Sequence, residues 1–224
     1  MQHDLRIGER GRRRDEGLLQ HMFTLACRYA GQAPGASAFV PEVQRSLAPD
    51  VGWTRVLNYL RVLEGALLVR LVPPLELRLK KRQGHAKICL CDHALRASWL
   101  QERVPLDEQG LRADPDLHDL AGHLAESVVG QFFTSVPGLS VAHHPARGAE
   151  PEVDFVLTLG TLHIPMEVRY RRRIGWDDTL GLRAFVEKSV YHAPFGLLVT
   201  LQDDVRVEDP RIIPISLSSL LWMR

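Results

Sequence analysis

The 224-residue sequence predicts an α/β protein: three helices and a two-stranded ribbon, followed by a mixed sheet with helices on its faces. Three observations lead there. Apolar residues recur at helical spacing as far as residue 65. Directly afterwards the period changes to two, in Leu75-Glu76-Leu77-Arg78-Leu79. The second half then runs helix, strand, hairpin, helix, strand, an order that builds a mixed sheet with helices packed against it.

Residues 1–16 are polar and charge-dense, ending in Arg12-Arg13-Arg14-Asp15-Glu16, and read as a frayed, solvated lead-in. From Gly17 to about Ala30, the spacing of Leu19, Met22, Phe23 and Ala26 makes an amphipathic helix, broken by Gly31-Gln32-Ala33-Pro34-Gly35. A second helix fits Pro41 to Leu47, with proline in its first turn. A third spans about Val51 to Gly65, burying Trp53, Val56, Leu57, Leu60 and Leu63 and turning Arg55, Asn58, Tyr59 and Arg61 outward. Leu67–Val72, a Pro73-Pro74 turn and Leu75–Leu79 complete a ribbon. Three helices and a ribbon form the winged-helix order, a relative of the helix-turn-helix. The third helix is then the expected recognition helix. Arg55, Asn58 and Arg61, with Lys80-Lys81-Arg82 after the wing, are the expected DNA contacts. The same outward face suits an ordinary wet helix on a unit that packs against another domain.

Residues 17–82 form this first unit and 83–224 the second. Lys87–Asp92 reads as a strand entering a short helix, Ala94–Leu100; Cys89 and Cys91 are expected to be small buried apolar groups rather than zinc ligands with His93. Residues 102–116 read as a connecting loop. Leu117 to Thr134 is a long helix with Leu117, Leu120, Ala121, Leu124 and Val128 inward, and with His123 and Glu126 sharing one face. Gly138–His144 is a strand whose adjacent His143 and His144 point to opposite faces. After the hairpin come a basic run (Arg169, Arg171, Arg172, Arg173), a helix over Thr179–Tyr191, the strand Phe195–Leu201, and a last strand and helix from Ile212.

Composition narrows the classes. A net charge of +1 gives no global attraction to nucleic acid, so any basic footprint is local. No apolar run approaches the ~20 residues of a membrane span, and no secretory h-region opens the chain. Three cysteines without a CxxC argue against a disulfide framework and fit a reducing cytoplasm. Walker, dinucleotide and zincin motifs are missing, which leaves ATP, dinucleotide and zincin readings without support.

The chemistry concentrates in the hairpin. Glu152–Leu157 and Ile164–Arg169 join across Leu159-Gly160-Thr161, which sets Asp154 opposite Pro165 or Met166 and within two positions of Glu167. Cross-strand neighbours of this kind lie ~5–8 Å apart. Carboxylates that close repel unless one is protonated or a cation lies between them, and a divalent metal is the usual cation. A solvated hairpin with neighbouring acids is the plainer alternative.

An acid, a gap, then acid-x-base at the end of an apolar strand resembles the PD-(D/E)xK nuclease superfamily, in which an Asp and a Glu hold a divalent metal beside a Lys. Asp154 matches the Asp, Glu167-Val168-Arg169 the acid-x-Lys element, and Glu126 the helix-borne acid facing the site. Arg169 stands at the lysine position. More widely, the order of segments is similar to the C-terminal half of a prokaryotic AAA-type ATPase family, a winged helix followed by a PD-(D/E)xK-type domain. His3–Arg6, the Asp15–Gly31 helix, Arg55–Glu64, Lys87–Asp92, Leu124–Val129, Glu152–Asp154, Glu167–Arg169 and Ile213-Pro214 carry that similarity, with the ATPase half absent. The resemblance implies a restriction-endonuclease-like sheet and Mg²⁺ on Asp154, Glu167 and Glu126. It also implies DNA and an ATPase domain or subunit as partners. Because arginine stays charged and cannot act as a base, the expected function is a DNA-binding module with a weakened or lost site. The alternative is an active Mg²⁺-dependent DNA endonuclease.

Overall fold

The computed structural model describes residues 15–46, 50–76, 84–105, 108–146 and 148–223. Helix α1 (Glu16–Arg28) is capped by Asp15, whose side chain accepts from the Leu18 N–H, and buries the expected Leu19, Met22, Phe23 and Ala26. Helix α2 (Ala36–Ser46) begins a turn and a half earlier than expected, so that Pro41 lies inside it rather than at its start. Helix α3 (Trp53–Gly65) buries Val56, Leu60 and Leu63, as its spacing demands. Tyr59 is a correction: it is buried, and its hydroxyl accepts the Asp15 N–H at 3.3 Å, which pins the start of α1 to α3.

The ribbon forms with a different second strand. Strand β1 (Val69–Val72) pairs antiparallel with β2 (Lys87–Leu90), Val69 opposite Leu90 and Val72 opposite Lys87. The expected partner, Leu75–Leu79, does not take that place. Leu75 and Glu76 follow Pro74 as irregular chain, and 77–79 fall outside the described residues. Proline lacks an N–H for a ladder, and beyond Val72 the chain runs beside β3 (Ser140–His144) instead. There the Leu75 N–H donates to the His143 carbonyl at 2.7 Å, and the His143 N–H donates to the Pro73 carbonyl at 2.9 Å. Strand β2 is buried at all four positions, which suits the middle of a packed layer better than a wing tip.

Asp92 caps α4 (His93–Leu100) by accepting from the Ala94 and Leu95 N–H groups. The expected loop at 102–116 contains a short helix, α5 (Glu108–Ala113). Helix α6 (His118–Thr134) follows, buried at Ala121, Ala125, Val129 and Phe133. Its inner face includes Val129, whereas Val128 was expected inward and is only half-buried. Gly130 matters here: a Cβ would strike the Cys89 Sγ and the Phe155 ring, so its absence lets α6 lie flat across β2 and the large sheet.

That sheet is five-stranded and mixed, in the order β3, β4 (Val153–Leu159), β5 (Leu162–Arg169), β6 (Gly196–Thr200), β7 (Ile212–Ser216). The first three strands are antiparallel and the last three parallel. Helix α7 (Leu180–Glu187) supplies the crossover between β5 and β6, shorter than expected because 3₁₀ turns at Trp176–Thr179 and Ser189–Tyr191 occupy its ends. Helix α8 (Leu217–Trp222) closes the chain. Phe155, Met166, Val168 and Val199 pack under α6, while Val156, Leu198 and Ile212 pack with Leu182 and Phe185 of α7. Among the described residues, no helix is long and apolar enough to cross a membrane.

Candidate functional site

The hairpin turns at Gly160, whose φ of +62° places it in the left-handed region that glycine tolerates. Its register sets Phe155 opposite Met166. Continuing that register one step sets Asp154 against Glu167, one position beyond the expected Met166 and two beyond Pro165. The ladder itself ends at the Phe155–Met166 pair. The Val168 N–H donates instead to Asp154 Oδ2 at 2.9 Å, which fixes the carboxylate at the fork.

Around that fork stand the three acids named from sequence, the arginine, and a lysine that the sequence reading did not select. Asp154 and Glu167 are buried, at 6% and 2% exposure. Arg169 spans both: Nη2 lies 2.7 Å from Glu167 Oε2, and Nη1 lies 3.3 Å from Asp154 Oδ2. Lys87, 2% exposed, enters from β2. Its Nζ donates to Glu126 Oε2 at 2.7 Å and to Asp154 Oδ1 at 3.1 Å, and sits 4.9 Å from the centre of the Phe155 ring. His123 Nδ1 lies 3.8 Å from Glu126 Oε1, the same-face pair expected on α6. Gly181 of α7 lets the backbone approach, since a Cβ there would sit 2.5 Å from the Glu152 carbonyl and 2.6 Å from Glu167 Oε1.

The electrostatics follow from burial and neighbours. Burial alone would raise the Asp154 pKa, but Lys87 and Arg169 outweigh it and hold the carboxyl down at about 2. Glu167 goes the other way. Burial and the Asp154 charge push it well above the carboxylate range, with Arg169 opposing only in part. The opposite shifts mean that, of the two carboxyls, Glu167 is the one that holds a proton more readily. Burial would lower the Lys87 pKa, yet Asp154 and Glu126 keep it above its ordinary value, a locked ammonium. Burial raises Glu152, and it drives His143 down to about 4.

These groups line a cleft of about 500 Å³ with Gln32, Ala33 and His85 along its rim. His143 faces it, its Nε2 2.8 Å from the His85 carbonyl, whereas His144 turns to Glu150 at 3.4 Å, in keeping with alternation. Cys89 is fully buried and Cys91 half-buried; His93 bonds Ser127 Oγ at 3.0 Å. Among the described residues, no group of three or more His, Cys, Asp or Glu side chains is disposed to hold a metal ion. The acid cluster does not fit a divalent ion as it stands: Asp154 already faces Lys87, the Val168 N–H and Arg169, and Glu167 faces Arg169.

The expected DNA contacts Arg55, Asn58 and Arg61 are all exposed on α3, and none of them lines the cleft. Lys80, Lys81 and Arg82 lie outside the described residues.

No family model matches the chain, and no curated protein matches it. Among solved structures it is similar to the crystal structure of protein VC1899 from Vibrio cholerae, at 15% identity and a TM-score of 0.32. That match covers 93% of this chain and 55% of the other, so the chain spans about half the length of that protein.

The residue that the sequence reading missed is Lys87. It lies 39 positions from Glu126 and 67 from Asp154, so no local pattern joins them. The available signal was a lysine opening the otherwise apolar strand Ile88-Cys89-Leu90. A cation in a buried strand needs an internal anion.

Proposed function

We propose that this chain is a nucleic-acid-associated, nuclease-like module whose catalytic site is weakened or lost. One observation carries the reading: the Arg169 guanidinium closes on both Asp154 and Glu167, at 3.3 and 2.7 Å. An arginine there grips phosphate oxygens but cannot surrender a proton, and it competes with any divalent ion for the same carboxylate oxygens. Arg55, Asn58 and Arg61 on α3, with Lys80, Lys81 and Arg82, are the proposed DNA contacts of a winged-helix unit. An ATPase domain or subunit as partner, and a cytoplasmic location, belong to the same proposal and rest on the sequence resemblance.

Lys87 is the observation behind a second reading, an active Mg²⁺-dependent DNA endonuclease, which requires the ion to displace Arg169 from the two carboxylates. The Lys87 ammonium lies 3.1 Å from Asp154 and supplies the compact positive charge that position 169 lacks. The test is cleavage of single- and double-stranded DNA in Mg²⁺ and Mn²⁺. The first reading expects no turnover by the unmodified chain and a gain with Arg169→Lys. The second expects turnover that both Asp154→Asn and Lys87→Met abolish, at a temperature where circular dichroism shows the variants folded.

A further inference from the structure

Just past the acid cluster, the chain carries Arg171, Arg172 and Arg173 and then the turn Trp176–Thr179 that opens α7. Trp176 is 51% exposed, one of the most accessible aromatic side chains among the described residues. Its ring is not loose. The Arg183 guanidinium lies 3.6 Å from the ring centre. Two hydrogen bonds hold Arg183 there: Nε to Thr179 Oγ1 and Nη2 to the Trp176 carbonyl, each 3.1 Å. The Thr179 hydroxyl donates to the same carbonyl at 2.9 Å. Beside the ring is a recess of about 150 Å³, walled by Ile174, Trp176, Thr179 and Val207 and rimmed by Arg206 and Glu208.

The recess is wired to the acid cluster through Asp178. That carboxylate is 6% exposed, accepts the Gly175 N–H at 2.7 Å, pairs with Arg171, and lies 3.5 Å from Arg169 Nε. Asp178 thus links Arg171, near the turn that carries Trp176, to Arg169 at the fork of the hairpin. Asp177 and Glu208 are the exposed acids there; with Glu208 on the rim, the phosphates belong on the arginine side and a base edge with amino groups on the Glu208 side.

We propose that this recess stacks an unpaired base of a single-stranded nucleic acid, whose backbone crosses Arg171–Arg173 toward Arg169. A rigid indole suits the π-face of any base, while flanking arginines suit its phosphates. A duplex keeps its bases stacked on each other and offers no such face. The inference rests on the nucleic-acid reading above and adds strand state and position to it.

The experiment compares three fluorescein-labelled 12-nucleotide DNAs in low salt: a single strand, the same sequence as duplex, and the single strand with one abasic position. The full chain should bind the single strand more tightly than the duplex. Trp176→Ala should weaken single-strand binding about tenfold, the scale of one stacked base, and leave duplex binding unchanged. Trp176→Phe should keep most of the affinity. An abasic position should weaken binding to the unmodified chain and not to Trp176→Ala. If Trp176→Ala binds the single strand as the unmodified chain does, or loses single strand and duplex equally, the recess is no base site while the nucleic-acid reading stands. If the unmodified chain binds none of the three DNAs, both proposals fall.

Discussion

Lys87 and Glu167 set the stability of the fork, each in its own direction. Lys87 is buried against Glu126 and Asp154, and a buried ion pair that loses one partner leaves a charge with less compensation. Lys87→Met is expected to cost roughly 3 kcal/mol in urea unfolding, at the lower end of such losses because Arg169 remains beside Asp154. Glu167 has a raised pKa, so it stabilises the fold in its protonated form. As pH rises above its ordinary value of 4.5, the unfolded chain ionises and the folded chain does not, and stability falls until the raised pKa is passed. Asp154 has the opposite sign: its contribution is present above 3.8 and is lost as pH falls toward about 2. Glu167→Gln keeps a neutral hydrogen-bonding group, so its melting temperature should lose much less than the unmodified chain's between pH 5 and 8. A parallel decline in both proteins would mean that Glu167 is already ionised. Asp154, Glu167 and Arg169 were legible because alternation and a tight turn are local rules, whereas Glu126 on α6 was named through the family resemblance. Lys87 was not, since only the tertiary packing of β2 under α6 brings it there.

At the level of elements, two helical glycines make opposite predictions. Gly122 in α6 has nothing within 4 Å of a Cβ position, so Gly122→Ala should raise stability by up to about 1 kcal/mol through helix propensity alone. Gly181 in α7 faces the Glu152 carbonyl and Glu167 at 2.5 and 2.6 Å, so Gly181→Ala should lower the melting temperature despite the same intrinsic gain. Thermal melts of both variants check the pair; stabilisation by Gly181→Ala would mean that α7 does not press on the acid cluster. The positions of α1 and α3 were readable to within a turn from apolar spacing. The second strand of the ribbon was not. Leu75–Leu79 has the better alternation, but Lys87–Leu90 has the ladder hydrogen bonds and the cover of α6. Periodicity reports which face is buried and says nothing of which strand is the neighbour.

Across the whole molecule, α6 packs on β1, β2, β3 and β5, so the helical unit and the five-stranded sheet share one helix. A fragment ending at residue 82 contains β1 without β2 and without α6. It is expected to give no cooperative urea transition, whereas the full chain should show a single one by circular dichroism and tryptophan fluorescence alike. Two separated transitions in the full chain would mean that the halves are stable independently. Just past β1 the chain also meets β3 through Pro74 and His143, a junction that spans about a third of the sequence. That junction has a consequence for biosynthesis. Translation proceeds at ~5–20 residues per second, so the far end of β1 waits roughly 4–14 s on the ribosome before His143 has been made. During that interval its open edge is a template for another nascent chain.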